Sequence, residues 1–199
     1  MAEQSANTRK EQILTAAAKL FHSKGFGATT VRDIASEMNM EAASLYHHIK
    51  SKEEILEIIC FSMAEKFLTT LHDVNDIYFN AEEKLRLAIK NHVEIITNNL
   101  HQSTVFLRDW TSLSEPKLSE FKKLRAEYEQ GFKTILSDGV NEDVFDDVDK
   151  KFAVLSILSS VNWITEWYNP NGKMKADEIS KRICNFVMSG LRKKLVTDI

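Results

Sequence analysis

The stretch VRDIASEMNMEAASLYHHIK, residues 31–50, decides the fold of this chain. Ala35 is a small residue at which two short helices can touch, and Asn39, four residues later, tolerates the left-handed backbone of a tight turn. The apolar residues that would clamp the two helices together are Ile34, Met38, Met40, Leu45 and Ile49. A small contact, a turn residue and a clamp in this order predict a helix-turn-helix. An ordinary corner between two helices is the alternative.

The sequence on either side of this stretch predicts more helices. Apolar residues of residues 9–24 fall on one helical stripe, and Gly25 follows them as a left-handed C-terminal residue. Thr30 opens the second helix, which ends near Asn39, and the third helix covers about 41–48. A fourth helix begins at Ser51, which Glu54 follows in a capping box, and runs to about residue 72.

The rest of the chain also reads as helix, because proline and glycine are sparse and no strand alternation occurs. Helices are predicted over about 80–100, 102–113, 116–136, 147–168 and 176–195, with an acidic loop over 137–145 and a turn over 169–172. We therefore predict an all-α fold of about nine helices. Residues 1–50 would form a three-helix helix-turn-helix domain, and residues 51–199 an antiparallel helical bundle.

Composition excludes several classes of protein. The formal net charge is -3, but residues 1–52 carry seven Lys/Arg against five Asp/Glu, so the basic balance lies at the N-terminal end. The N-terminus lacks the apolar core of a signal peptide, and the most apolar stretch, residues 152–164, is too short and polar to span a bilayer. We expect a cytoplasmic protein in which Cys60 and Cys184 are buried thiols rather than metal ligands.

Residues 9–58 resemble the N-terminal domain of the tetracycline-repressor (TetR) family. The segments that carry the resemblance are Ile13-Leu14 with Ala17 and Leu20-Phe21, Gly25-Phe26, residues 29–35, residues 44–49 and residues 50–56. The chain departs from the family pattern at Asn39, where glycine is usual, and at Glu41-Ala42-Ala43, where a serine and a glycine are common. The second departure leaves the front of the third helix short of hydrogen-bond donors, so the base preference is hard to predict.

The resemblance implies a repressor that binds double-stranded DNA with its third helix in the major groove. The residues of that helix that would face DNA are Glu41, Ala42, Ser44, Tyr46 and His47. Tyr46 can instead be a partly buried ring that holds the third helix to the first. Backbone contacts are expected from Thr29 or Thr30 at a helix N-terminus, from Arg32 and Lys52, and from Arg9 and Lys10 on a flexible arm.

The C-terminal half is rich in aromatic residues, among which polar residues are embedded. Polar groups in an apolar stripe point to function, because burial without a partner is costly. The candidate ligand-binding residues are Phe67, His92, Phe106, Arg108, Trp110, Tyr128, Asn162, Trp163, Glu166 and Trp167. Arg108 would anchor an anionic head group, or else form a salt bridge with Asp109 or another helix. No cofactor or metal ion is predicted.

The last two predicted helices, 147–168 and 176–195, look like an interface between subunits. Serines on the first and Gly190 on the second permit close approach. The resemblance implies a homodimer that reads a palindromic operator. The run of residues 163–172 resembles a subset of the family whose ligands are fatty acyl or steroid-derived CoA thioesters, which suggests a long, mostly apolar effector that releases the repressor from DNA.

Two other classes of function compete with this interpretation. An enzyme is disfavoured, because the chain has no P-loop, GxGxxG, HExxH or GxSxG motif. A dimeric DNA-binding regulator without a small-molecule effector is the closer alternative, with the C-terminal half used only for dimerisation or protein contacts. A tightly filled core would favour that alternative, and an open apolar cavity would favour an effector.

Overall fold

The computed structural model describes residues 2–193, with side chains from residue 9 onward. The helices are α1 Ala2–Lys24, α2 Val31–Glu37, α3 Ala42–Leu45, α4 Lys52–Asp76, α5 Ala81–Asn98, α6 Leu100–Arg108, α7 Lys117–Asn141, α8 Lys150–Asn162, α9 Ile164–Trp167 and α10 Ala176–Leu191, with a short 3₁₀ turn at Trp110–Ser112. Across residues 2–193 the only β pairing is one isolated bridge between Phe145 and Arg192. The predicted all-α fold is therefore confirmed.

The chain divides into two compact units. Unit 1 contains Met1–Glu65 and Asn99–Lys123, and unit 2 contains Lys66–Asn98 and Leu124–Ile199. Helices α4 and α7 supply residues to both units. The boundary predicted after residue 50 follows the helix-turn-helix motif, whereas this division also assigns α6 to unit 1, where it packs on α1.

Each unit has its own core. In unit 1, Ile13, Ala17 and Phe21 of α1 are fully buried, and α2 and α6 pack against the same helix. In unit 2, α5 packs against α8, α9 and α10. Cys60 and Cys184 are buried free thiols, as predicted, and burial raises their pKa to about 12 and about 11. None of the helices within residues 2–193 is both long and apolar enough to cross a membrane.

The helix starts follow the sequence signals. The Thr30 hydroxyl accepts a hydrogen bond from the Asp33 amide at 3.1 Å, and the Asp33 carboxylate accepts one from the Thr30 amide at 2.8 Å, so the predicted start at Thr30 is a capping box. Asn80 and Glu83 make the same reciprocal pair at the start of α5. At Ser51 only half of the box forms, since Glu54 reaches the amide of Lys50 instead.

Two helix predictions were wrong. The acidic loop predicted over 137–145 is partly helix, because α7 continues to Asn141. Gly139 does not end this helix; its missing side chain leaves the space that the ring of Phe145 fills. The single helix predicted over 147–168 is broken at Trp163 into α8 and α9. The last helix ends at Leu191, and Leu195 lies outside the described residues.

Candidate functional site

Helix α3 presents polar side chains on an apolar support. Leu45 and Ile49 are buried, whereas Ser44, Tyr46 and His47 are exposed, with 54% of the Tyr46 surface accessible. The helix is shorter than predicted, since residues 46–48 form a turn rather than a further helical segment. Glu41, its N-cap, is exposed and Ala42 is half-buried. The Tyr46 ring is thus mainly a surface group rather than a buried one.

The turn before α3 has the predicted geometry. Asn39 has φ +52°, the left-handed conformation that the tight turn requires. The Met40 amide then donates to the Ala35 carbonyl at 2.8 Å, which closes the end of α2. Ala35 is buried, as a small residue at the helix contact should be. This turn aims the exposed face of α3 away from the core of unit 1.

The two threonines before α2 differ in exposure. Thr29 is fully buried and its hydroxyl donates to the Gly25 carbonyl at 2.8 Å, so it does not face solvent. Thr30 is exposed, but its hydroxyl and amide are both bonded to Asp33. These bonds, followed by the Lys24 ammonium, lower the pKa of the Asp33 carboxyl to about 2. Of the two threonines that the sequence left open, only Thr30 lies at the surface.

Lys52 is an internal tie in this structure. Its ammonium donates to the carbonyl oxygens of Phe26 and Thr29, both at 2.9 Å, and to that of Gly27 at 3.4 Å. It also lies 4.5 Å from the centroid of the Phe26 ring. An ammonium has three N–H donors, and these carbonyls use all three. The phosphate contact of half-buried Lys52 therefore stays a prediction, and in this structure its ammonium bonds the protein itself.

Three other basic residues that the sequence assigned to DNA also lie in unit 1. Arg32 is exposed on α2. Arg9 and Lys10 lie on α1 rather than on the flexible arm that was predicted, and Arg9 donates to the side chain of Gln12 at 3.0 Å. Because both residues lie on α1, they belong to the same helix that packs into the core of unit 1.

Four of the predicted ligand-binding residues meet in unit 2. His92 is buried on α5, with Nδ1 2.9 Å from the Tyr128 hydroxyl and Nε2 3.0 Å from Oδ1 of Asn162. The Phe67 ring lies 4.6 Å from the imidazole, centroid to centroid. Beside His92, the gap between α4, α5 and α7 is too narrow for a water molecule. The cluster is therefore a filled, hydrogen-bonded core rather than an open cavity.

The hydrogen-bond partners of His92 determine which nitrogen of its ring carries the hydrogen. A carboxamide oxygen only accepts hydrogen bonds, so Nε2 carries the hydrogen and Nδ1 accepts from the Tyr128 hydroxyl. Burial lowers the pKa of His92 to about 4, and the bond to Asn162 opposes this shift only partly. Burial also raises the pKa of Tyr128 above its ordinary value. Both side chains are neutral near pH 7.

Three predicted ligand-binding residues belong to unit 1 instead. Phe106 and Trp110 pack around Phe121, with ring centroids 5.4 and 5.9 Å away. The Arg108 guanidinium donates to the Phe21 carbonyl at 2.5 Å and to the carboxylate of Asp109 at 3.1 Å. Arg108 thus caps the last turn of α1 and forms the salt bridge that was the alternative to an anion anchor.

The remaining predicted residues are at the surface of unit 2. Trp163, which separates α8 from α9, is 65% exposed, Trp167 at the end of α9 is 45% exposed, and Glu166 on α9 is exposed as well. The structure therefore does not bring these three side chains into the buried cluster around His92.

An apolar groove runs along α8 and α10 in unit 2. Its volume is about 350 Å³, and it is lined mainly by Phe152, Ser156, Ile157, Phe186, Val187 and Gly190. Phe152 and Phe186 are 71% and 74% exposed. The sequence analysis assigned Gly190 to the interface but missed Phe152, which lies off the buried stripe of its helix. The signal was a large apolar residue at a solvent-facing position.

Family models match both parts of the chain. One described as bacterial regulatory proteins, tetR family, matches residues 13–59. Another, described as tetracyclin repressor-like, C-terminal domain, matches residues 79–191, more than half of the chain.

Individual proteins match along nearly the whole chain. The HTH-type transcriptional repressor KstR2 of Mycobacterium tuberculosis H37Rv is 27% identical over 191 residues, which cover 94% of this chain and 95% of KstR2. The solved structure of that organism's ketosteroid transcriptional regulator KstR2 has a TM-score of 0.89 at 26% identity and covers 94% of this chain and 96% of its own. AibR in complex with isovaleryl coenzyme A and operator DNA has a TM-score of 0.81 at 25% identity, with 92% and 99% coverage.

Proposed function

This chain belongs to the TetR family of DNA-binding transcriptional repressors, and on that premise we propose that it binds a palindromic operator as a homodimer and releases it when an acyl thioester binds unit 2. Regulation, rather than catalysis, is its function.

The exposed face of α3 supports the DNA-binding part of the proposal and carries it. Tyr46 and His47 are exposed in the turn that follows Leu45, and Leu45 is fully buried. The buried leucine anchors this turn, so the two hydrogen-bonding side chains lose little conformational entropy when they contact base edges. Ser44, Glu41 and Ala42 complete the face that would read base edges. Exposed Thr30 and Arg32 and half-buried Arg9 and Lys10 would contact phosphates.

The groove between α8 and α10 supports a homodimer. An exposed apolar surface with two large phenylalanines is costly in water and is typical of protein interfaces. A side chain added at Gly190 would meet no atom within 4 Å in the monomer, so the monomer itself gives no packing reason for a glycine in the last turns of α10. Close approach of the same face of a second chain would give one.

Three features support an acyl thioester as the effector. Residues 163–172 resemble the CoA-responsive subset of the family. AibR, which is similar along the chain, was solved with isovaleryl coenzyme A. The core of unit 2 combines aromatic and aliphatic side chains with a few neutral polar groups, the composition of a site for a largely apolar ligand.

One observation favours the alternative of an effector-free regulator. The gap bounded by Phe67, His92 and Tyr128 is too narrow for water, so a ligand there must push side chains apart. Binding then has to supply the free energy of opening, which an effector does only if it binds the open state more tightly than the closed one.

The proposal is tested by DNA binding measured as fluorescence anisotropy, with an operator selected by the protein from random duplexes. The double variant Tyr46→Ala, His47→Ala should bind this operator at least about tenfold more weakly, because each lost base contact costs about 1–3 kcal/mol. The matched control is Tyr78→Ala, which removes a fully exposed tyrosine from unit 2 and should bind as the wild type does.

Addition of butyryl-, octanoyl- or palmitoyl-CoA should weaken operator binding by the wild type at least about tenfold, or about 1.4 kcal/mol of coupling. Unchanged operator affinity with every acyl-CoA would leave the effector-free regulator as the better description. Unchanged affinity of the double variant would remove the α3 face from the DNA interface.

A further inference from the structure

The carboxamide of Asn162 ends a directed chain of hydrogen bonds in unit 2. The Tyr128 hydroxyl donates to Nδ1 of His92, and Nε2–H of His92 donates to Oδ1 of Asn162. Since the oxygen of the carboxamide is bound, its two N–H donors point away from His92. Within residues 9–193 the amide nitrogen has no hydrogen-bond partner, and the Asn162 side chain is half-buried at the end of α8.

Such a donor selects the chemistry of its partner. An oriented N–H without a protein acceptor donates readily to a carbonyl oxygen and cannot bond groups that are only donors. Within residues 9–193 no lysine or arginine bonds the Asn162 carboxamide, so no cation bonded there would neutralise a carboxylate. A neutral acceptor, such as the carbonyl of a thioester, is the group that fits.

We infer that Asn162 determines specificity by donating a hydrogen bond to the carbonyl oxygen of the effector, and that His92 and Tyr128 are positioning residues that fix its carboxamide. This inference rests on the proposed acyl thioester effector and adds the residue that would distinguish an ester from an alkyl chain. It explains why a polar triad occupies an otherwise apolar core, where burial of polar groups is costly.

The variant Asn162→Asp separates specificity from structure. Aspartate has the same shape and keeps an oxygen acceptor for Nε2–H of His92, but it has no N–H donor. The probes are octanoyl-CoA, its thioether S-octyl-CoA, which lacks the carbonyl, and free octanoate, with affinity measured by isothermal titration calorimetry. The control, Asn98→Asp, places the same charge at an exposed asparagine at the end of α5.

We expect wild type and Asn98→Asp to bind octanoyl-CoA at least about tenfold more tightly than S-octyl-CoA or octanoate, the value of one good hydrogen bond. Asn162→Asp should lose that preference while it remains folded. Two results would overturn the inference alone: equal wild-type affinity for octanoyl-CoA and S-octyl-CoA, or a preference that survives in Asn162→Asp. An equal loss for both CoA probes in Asn162→Asp would show a structural role only. If no acyl-CoA binds the wild type, the effector class fails and the inference with it.

Discussion

At the scale of single residues, the His92 imidazole makes the stability of the protein depend on pH. Burial lowers the pKa of His92 to about 4 in the folded chain, from an ordinary value of 6.5. Below pH 6.5 the unfolded chain therefore takes up a proton that the folded chain refuses until about pH 4. Through this group, the free energy of unfolding should fall as pH decreases over that window, by about 3 kcal/mol in all. Urea denaturation at a series of pH values measures it.

The variant His92→Gln should remove much of this slope, because glutamine does not titrate. The matched control is His47→Gln, which makes the same substitution at an exposed histidine in the turn after α3, outside the buried cluster. If both variants show the same pH dependence as the wild type, the loss of stability in acid does not come from His92.

The sequence predicted the polar residues of the core better than their partners. His92, Tyr128, Asn162 and Phe67 were all recognised as polar or aromatic positions on apolar stripes, and they do contact one another. Arg108 looked the same by that criterion, yet it bonds carbonyl oxygens at the end of α1. Helical periodicity shows which face a residue occupies, but it does not show which distant helix supplies its partner.

At the scale of helices, the starts could be predicted and one break could not. Thr30 and Asn80 indicate helix starts because their side chains accept hydrogen bonds from backbone amides of the first turn. The break after Asn162 arises from the side-chain hydroxyl of Thr165, which lies in a run of mostly apolar residues. The Thr165 hydroxyl donates to the Asn162 carbonyl at 2.9 Å, and the Glu166 amide bonds Trp163 instead of Asn162. Thr165 is an ordinary helix residue in most settings, so nothing local marked it.

Lys52 shows how one side chain joins two elements, and it gives a prediction at this scale. Its ammonium ties the first turn of α4 to the carbonyls of Phe26 and Thr29, which follow α1. Lys52→Met should lower the free energy of unfolding by about 1–3 kcal/mol, because hydrogen-bonded carbonyls lose a charged donor. It should leave the salt dependence of operator binding unchanged, since the N–H donors of the ammonium are bonded to carbonyl oxygens of the protein. Chemical denaturation and anisotropy titrations in increasing KCl measure the two effects.

Lys50→Met is the control for this change, since Lys50 is an exposed lysine two residues earlier and should have little effect on stability. A stable Lys52→Met protein whose salt slope falls by about one would restore Lys52 as a phosphate contact.

At the scale of the whole molecule, the proposed binding of a palindromic operator requires that the recognition surfaces of two chains be held at a fixed spacing. A palindromic operator presents its half-sites about one helical turn apart, so a monomer can use only half of the binding free energy. An effector can change this spacing only through different affinity for the two arrangements of the dimer. In the proposed dimer, the contact between chains would therefore be as necessary for repression as the α3 face.

The α8–α10 groove gives the last prediction, in which the stability of the monomer and that of the dimer change in opposite directions. In Gly190→Leu the new Cβ meets nothing within 4 Å. Leucine is also a better helix former than glycine by up to about 1 kcal/mol, so an isolated chain should be no less stable. The leucine would fill the space into which a second chain has to fit, and a two-fold interface repeats the clash. Sedimentation velocity should therefore detect a monomer where the wild type is a dimer, and operator affinity should fall at least about tenfold.

Phe79→Asp, a charge placed at an exposed phenylalanine outside the groove, should remain dimeric. A Gly190→Leu protein that sediments as the wild type would show that chains do not meet along this groove, and Phe186 and Phe152 would then need another partner.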